Sequence, residues 1–182
     1  MSGKRSSALA LAALLMSGCT LNSTVPLATG GAPHAGRAVI VYGIGVDGPW
    51  AYPNFAVQMT EYSIDRQAIT GNCFRFNRVD AIIPATTTGI RYFAFDVAPG
   101  SYVYSPMNGA QPNGEPVAFR APAGRAVYLG DFVYGKDGRV TRGGNLDGEK
   151  SAIRRALPAV PDDLAVADTV VVAAPKPFLC AP

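Results

Sequence analysis

The chain carries one histidine and three cysteines in 182 residues, and charged residues make up only 16% of it. The histidine, His34, lies in a small, polar, Pro/Gly-punctuated stretch and reads as an exposed linker residue. Ser-His-Asp or Cys-His catalysis, or a zinc site that needs histidine, therefore has none to use inside the region that follows. GxSxG, HExxH, SxxK and CxxC motifs are all missing. Cys73 has no base or charged helix terminus near it in sequence to activate it as a nucleophile. Long apolar runs are scarce too. The first, Ala8 to Met16, is too short to span a bilayer, and no second run reaches the ~18 residues of a membrane helix. These absences argue against an enzyme and against cofactor, metal or helical membrane insertion.

What is present begins at the N-terminus. Lys4 and Arg5 precede the apolar run, and Leu14-Leu15-Met16-Ser17-Gly18-Cys19 closes it with small residues before a cysteine. A basic start, a short apolar middle and a small-residue cut site make an export signal. With the cut before a cysteine, the stretch resembles the lipobox of bacterial lipoproteins, although Met16 stands where that family usually has Leu. The resemblance implies that residues 1–18 are removed and that Cys19 is diacylated and becomes the first residue. Thr20, in place of the aspartate that favours inner-membrane retention in that family, points to the outer membrane. Lys4 and Arg5 leave with the signal, so sixteen basic residues become fourteen against thirteen acidic, a net charge of +1. Nucleic-acid binders concentrate far more Lys and Arg on one face. Here Arg154-Arg155 is the only adjacent basic pair past the signal, so nucleic acid is discounted.

Residues 19–36 read as the lipidated cysteine and a flexible tether, with no period of either kind and with Gly30-Gly31 and Pro33 as breakers. As a coil, this stretch would span roughly 20 to 25 Å. Residues 37–182 read as one domain. Twenty glycines and fifteen prolines separate aromatic and β-branched runs, the pattern of an all-β chain. Ala38 to Tyr42 suits a buried strand, and Phe55, Val57 and Met59 alternate as in a half-buried one. Cys73 to Val79 is expected as a strand with Phe74 and Phe76 on one face. In Ile90 to Val97, the residues Phe93, Phe95 and Val97 form the apolar face. Ala98-Pro99-Gly100 is expected to fold Ser101 to Tyr104 back as a hairpin partner, Pro122-Ala123-Gly124 to repeat the device, and Lys136-Asp137-Gly138 to supply a further turn. Ala152, Ile153, Ala156 and Leu157 have helical spacing, stopped by Pro158. Leu164, Val166 and Thr169 to Val172 suggest a helical turn and a closing strand. The expected fold is a single antiparallel β-sandwich with one short C-terminal helix.

Beside the lipobox and tether, the Ala98-Pro99-Gly100-Ser101-Tyr102 and Ala121-Pro122-Ala123-Gly124-Arg125-Ala126-Val127-Tyr128 turns are similar to those of uncharacterised bacterial lipoproteins with transthyretin-like sandwiches. The likeness covers Ala38 to Tyr134, with Arg125 where that family often has Lys. It implies a transthyretin- or immunoglobulin-like sandwich and an envelope address. It implies no activity and assigns no functional residue.

Several local patterns invite functional readings. Gly43-Ile44-Gly45-Val46-Asp47-Gly48 matches GxGxxG with Asp65 downstream, but Pro49, Trp50 and Pro53 follow where a phosphate-holding helix should open. A nucleotide site is discounted. Asn145, Asp147 and Glu149 faintly resemble a calcium loop, out of register with an EF-hand because Gly143 and Arg154 occupy the first and last positions. Helix capping by Asp147 explains them better. Asp131 shares strand parity with Val127, Leu129 and Val133 and reads as a buried, hydrogen-bonded structural acid. Cys73 and Cys180 make an even pair, a disulfide candidate in an oxidising envelope, with two free buried thiols as the other reading. Trp50, Tyr52 and Phe55 within the Pro49–Pro53 region suit either a binding loop for protein or glycan or a plug for the core. Three function classes follow: a lipid-anchored binding or structural protein without catalysis, a lipoprotein component of an envelope-spanning machine such as a secretion system, and an envelope enzyme with an unrecognised site. The first is favoured.

Overall fold

The structure, a computed structural model, describes residues 21–27, 31–48, 50–72, 74–106 and 110–176. Among the described residues the fold is mostly β, with one short helix. The strands are β1 (Leu21–Asn22), β2 (Val25–Pro26), β3 (Ala38–Val46), β4 (Asn54–Ser63), β5 (Ala68–Ile69), β6 (Arg75–Phe76), β7 (Arg78–Pro84) and β8 (Arg91–Val97). They continue with β9 (Gly100–Pro106), β10 (Gln111–Pro112), β11 (Val117–Ala121), β12 (Ala126–Tyr134) and β13 (Arg139–Gly143). Helix α1 (Leu146–Ala156) precedes β14 (Ala165–Val166) and β15 (Thr169–Val171).

Two larger sheets hold most of these strands. One has the order β10-β13-β12-β3-β8-β2, with β14 beside β12; the other runs β15-β11-β9-β4-β5, with β7 on β4. Their facing sides share one core: Ile40, Tyr42 and Ile44 from β3, Phe95 and Val97 from β8, and Phe132 and Tyr134 from β12 meet Phe55, Val57, Met59, Ile83, Tyr102 and Phe119. The first sheet is mixed, not antiparallel throughout, because its central pair β3–β12 is parallel. A parallel neighbour requires a distant crossover, which no local turn signal announces.

Both faces of that sheet are covered. Val39, Val41, Tyr92, Ala94 and Tyr128 point outward, and α1 and the following segment cap them with Leu146, Ile153, Val160 and Leu164. This double burial accounts for the unbroken apolar run at Ala38–Tyr42. Asn145 caps α1, its side chain accepting from Asp147 N, while Asp147 itself sits in the first turn. The expected cap at Asp147 is therefore displaced to Asn145. Acids in the first turn and Arg154 and Arg155 in the last match the helix dipole.

Two expected hairpins are instead crossovers between sheets. β8 pairs with β3 and β2, whereas β9 pairs with β4 and β11, so Ala98-Pro99-Gly100 carries the chain across the core. The Tyr102 hydroxyl donates to Ala98 O at 2.8 Å and fixes that corner. Pro122-Ala123-Gly124 likewise links β11 to β12 in the other sheet. Of these three expected turns, Lys136-Asp137-Gly138 alone closes a true hairpin, β12–β13.

The expected strand at Cys73–Val79 also differs. Its described part is split into β6 and the start of β7, with Phe74 exposed, and the half-buried strand runs on through Ile83. Nor does the described part of the 19–36 stretch hang free. Leu21–Asn22 lies parallel to Arg75–Phe76, and Val25–Pro26 pairs antiparallel with β8.

Candidate functional site

The loop after β3 carries Trp50 and Tyr52 ahead of Phe55 on β4. Phe55 is fully buried in the shared core, Trp50 is half-buried against it, and Tyr52 is exposed. The indole stands edge-on to Phe55 and to Tyr134, with centroids 5.0 and 6.2 Å away. Its Nε1 is buried without a hydrogen-bond partner. A side chain so placed closes one end of the core and leaves Tyr52 as the loop's outward aromatic.

A cleft of about 680 Å³ opens at the side, where β10, β11, β13 and β15 form the sheet margins. Tyr104, Phe119 and Phe132 line it, with Tyr104 and Phe132 ring centroids 4.5 Å apart. Arg142 places its guanidinium 5.1 Å from the Phe119 ring centroid, and Glu115 contributes a carboxylate to the rim. Aromatic walls with one cation and one anion can take an apolar group bearing polar ends. None of these residues stood out in the sequence. The pairing that builds the cleft, parallel β10–β13, joins segments far apart in sequence and leaves no local mark.

A third cluster surrounds Asp131. β12 slips by one residue against β3 between Tyr128 and Asp131, and Gly130 in the slip has φ +106°. This bulge reverses strand parity. Val127 and Leu129 face the shared core before it, Phe132 and Tyr134 after it, so Asp131 emerges on the outer face with Tyr128 instead of sharing a side with Leu129. Tyr128 Oη donates to Asp131 Oδ1 at 2.5 Å, and Tyr92 Oη donates to Glu149 Oε2 at 2.5 Å. Burial, reinforced by the Glu149 charge, pushes the Asp131 carboxyl up despite the Tyr128 bond. Burial and their carboxylate partners push both phenols up as well. Buried Asp131 holds its proton more readily than an exposed carboxyl, and both Asp131 and Glu149 accept from a tyrosine.

The same cluster explains the glycine run. Any Cβ at Gly43 would collide with Asp131 Oδ1 and Ile90, and one at Gly45 with Ile90 Cδ1. Those glycines make room on the outer face of β3; Gly48 turns the chain at φ +109°. Asn145 and Glu149 are engaged as cap and as Tyr92 partner. Among the described residues, no group of three His, Cys, Asp or Glu is arranged to hold a metal.

Asp96, on the outer side of β8, is buried and receives His34 N at 2.8 Å, His34 Nδ1 at 2.7 Å and Arg37 Nε. Arg37 also donates to Ser23 O, so one carboxylate ties down the segment before β3. His34 itself keeps an exposed ring, as expected, but is no idle linker residue. Burial raises the Asp96 carboxyl, and the donors from His34 and Arg37 outweigh it, holding it below the usual range.

Cys19, Cys73 and Cys180 lie outside the described residues, as does Pro49. The chain matches no family model, no curated protein and no solved structure.

Proposed function

We propose that this protein is a lipid-anchored bacterial envelope protein, most suited to the outer membrane, with a non-catalytic binding role. The observation that carries the reading is the basic–apolar–small–cysteine order of residues 4–19, which leads within two residues into the folded domain at Leu21. The two larger sheets are read as one transthyretin- or immunoglobulin-like sandwich, a reading supported by the core they share. Binding is assigned to the side cleft in preference to the Trp50 loop, because exposed Arg142 and Glu115 border the cleft beside half-buried Tyr104, whereas Trp50 and Phe55 pack into the core. The ligand class is an envelope protein segment or glycan that presents an apolar group.

Intact-mass analysis of protein extracted from membranes tests the anchor: acyl mass on an N-terminal Cys19 is expected, and a cut elsewhere without acyl mass overturns it. Recovery of partners from native membranes tests the cleft. Arg142→Ala should reduce recovery with little change in thermal melt, since an exposed cation–π contact contributes only about 0.5 to 1 kcal/mol. Unchanged recovery overturns the cleft assignment. Recovery of a defined membrane complex would place the protein in an envelope-spanning machine.

A further inference from the structure

We infer that the end of the domain carrying Leu21 and Phe74 lies directly on the phospholipid surface, so that the domain is seated on the membrane and not suspended from it. The inference rests on lipidation at Cys19. Two trans peptide steps separate Cys19 from Leu21, so their Cα atoms stand at most about 7.6 Å apart.

Leu21 is not free to drift. Its N–H donates to Phe74 O at 2.7 Å, and Leu21–Asn22 pairs with Arg75–Phe76. The next residues are pinned too: Asn22 Nδ2 donates to Arg78 O at 2.7 Å, Ser23 Oγ to the buried Asn77 Oδ1 at 2.5 Å and Thr24 Oγ1 to Arg78 O at 2.5 Å. The lipid therefore attaches almost at the domain surface. What flanks it there is apolar and basic. Leu21 is 64% exposed and Phe74 68%. Arg75 lies beside them, exposed and without an ion pair among the described residues. Apolar side chains bordered by a cation with a long stem suit the boundary of acyl chains and anionic headgroups.

The geometry also says what faces away. β4 runs from Asn54, next to the Trp50 loop, to Ser63, near the Leu21 end, about 30 Å of strand. Trp50 is the only tryptophan, which makes it a built-in distal reporter.

Lipidated full-length protein in phosphatidylethanolamine/phosphatidylglycerol vesicles, with and without brominated acyl chains, provides the test. Trp50 emission should be the same in both. Phe74→Trp should add emission that bromine quenches at least about twofold, as for an indole at the interfacial belt. Leu21→Trp, next to the anchor, is the positive control. Hydrogen exchange on the unsubstituted chain gives an independent reading: amides of residues 74–78 should slow on vesicles relative to detergent, and those of residues 50–54 should not. Quenched Leu21→Trp with unquenched Phe74→Trp and no added protection at 74–78 overturns the seated domain while leaving the anchor intact. Quenching of Trp50 overturns it as well. Absence of acyl mass on Cys19 removes the anchor and the inference together.

Discussion

The Trp50 indole meets the Phe55 ring edge-on, with centroids 5.0 Å apart and planes at 70°. Phe55 is wholly buried, so the contact ties the loop after β3 to the core. Trp50→Ala should lower stability toward the lower part of the about 3 to 5 kcal/mol seen for buried Trp, because the indole is only half covered. Trp50→Phe should be far milder, since Nε1 makes no hydrogen bond to lose. Tyr52→Ala, at an exposed ring, should leave the melt within about 0.5 kcal/mol of the parent. Thermal melts of the three variants decide. If Trp50→Ala melts like the parent, the indole is not part of the core.

Asp96 governs a pH-dependent share of stability. Its folded carboxyl titrates below the ordinary range because His34 and Arg37 donate to the charged form more strongly than burial opposes it. A depressed acid contributes fully above its unfolded pKa of about 3.9 and loses that contribution as pH falls through the folded value. The stability difference between parent and Asp96→Asn should therefore be present at neutral pH and shrink below about pH 4. At neutral pH the loss should be about 1 to 3 kcal/mol, since Arg37 is left partly buried without its carboxylate. Denaturant unfolding across that range is the measurement. A difference that persists undiminished below about pH 4 would contradict the assignment.

Burial parity was legible only where strands keep strict alternation. Phe93, Phe95 and Val97 turn inward as the sequence suggests, and Val57 and Met59 do likewise. Asp131 fails that reading because a single extra residue at the Gly130 bulge exchanges the two faces of β12, and alternation counted from Val127 cannot register it. Pro99-Gly100 and Pro122–Gly124 turn the chain where the sequence places them but join other partners, whereas Lys136–Gly138 closes the hairpin its position suggests. A tight turn reverses the chain equally well within a sheet or across a core, and only the distant strands decide which. Leu21 to Pro26 was unreadable for a related reason: two-residue strands have no period, and their pairing depends on Asn77, Arg78 and Asp96 far along the chain.

Asp131 has the opposite sign from Asp96. Its folded carboxyl is raised, chiefly by burial, so the folded state holds the proton longer than the unfolded chain. Stability then declines as pH rises from the unfolded value through the folded one, and the full cost is present above it. Asp131→Asn keeps an acceptor for Tyr128 and carries no charge, so at pH 7 it should be at least as stable as the parent, with the advantage vanishing in acid. Gly43→Ala is the companion variant: its methyl would press on Asp131 and Ile90, and overpacking of this kind costs about 1 to 3 kcal/mol. A neutral Gly43→Ala would mean that the outer face of β3 has room the geometry denies.

Cys73 and Cys180 should be bonded in the mature protein. The described chain brings their neighbourhoods together: Ala173 N donates to Gln67 Oε1 at 2.6 Å, and Tyr62 Oη donates to Ala173 O at 3.1 Å. From those fixed points, six residues lead to Cys73 and seven to Cys180. A bond closing a loop of about 100 residues contributes at most roughly 4.7 kcal/mol by chain entropy, less any native strain. Peptide mapping without reductant should recover the linked pair from envelope-purified protein. Single Cys73→Ser, single Cys180→Ser and the double variant should then lower the melt by similar amounts, because either substitution alone already removes the whole cross-link. Two alkylatable thiols in the parent, or single variants whose effects simply add in the double, would show that the cysteines act separately.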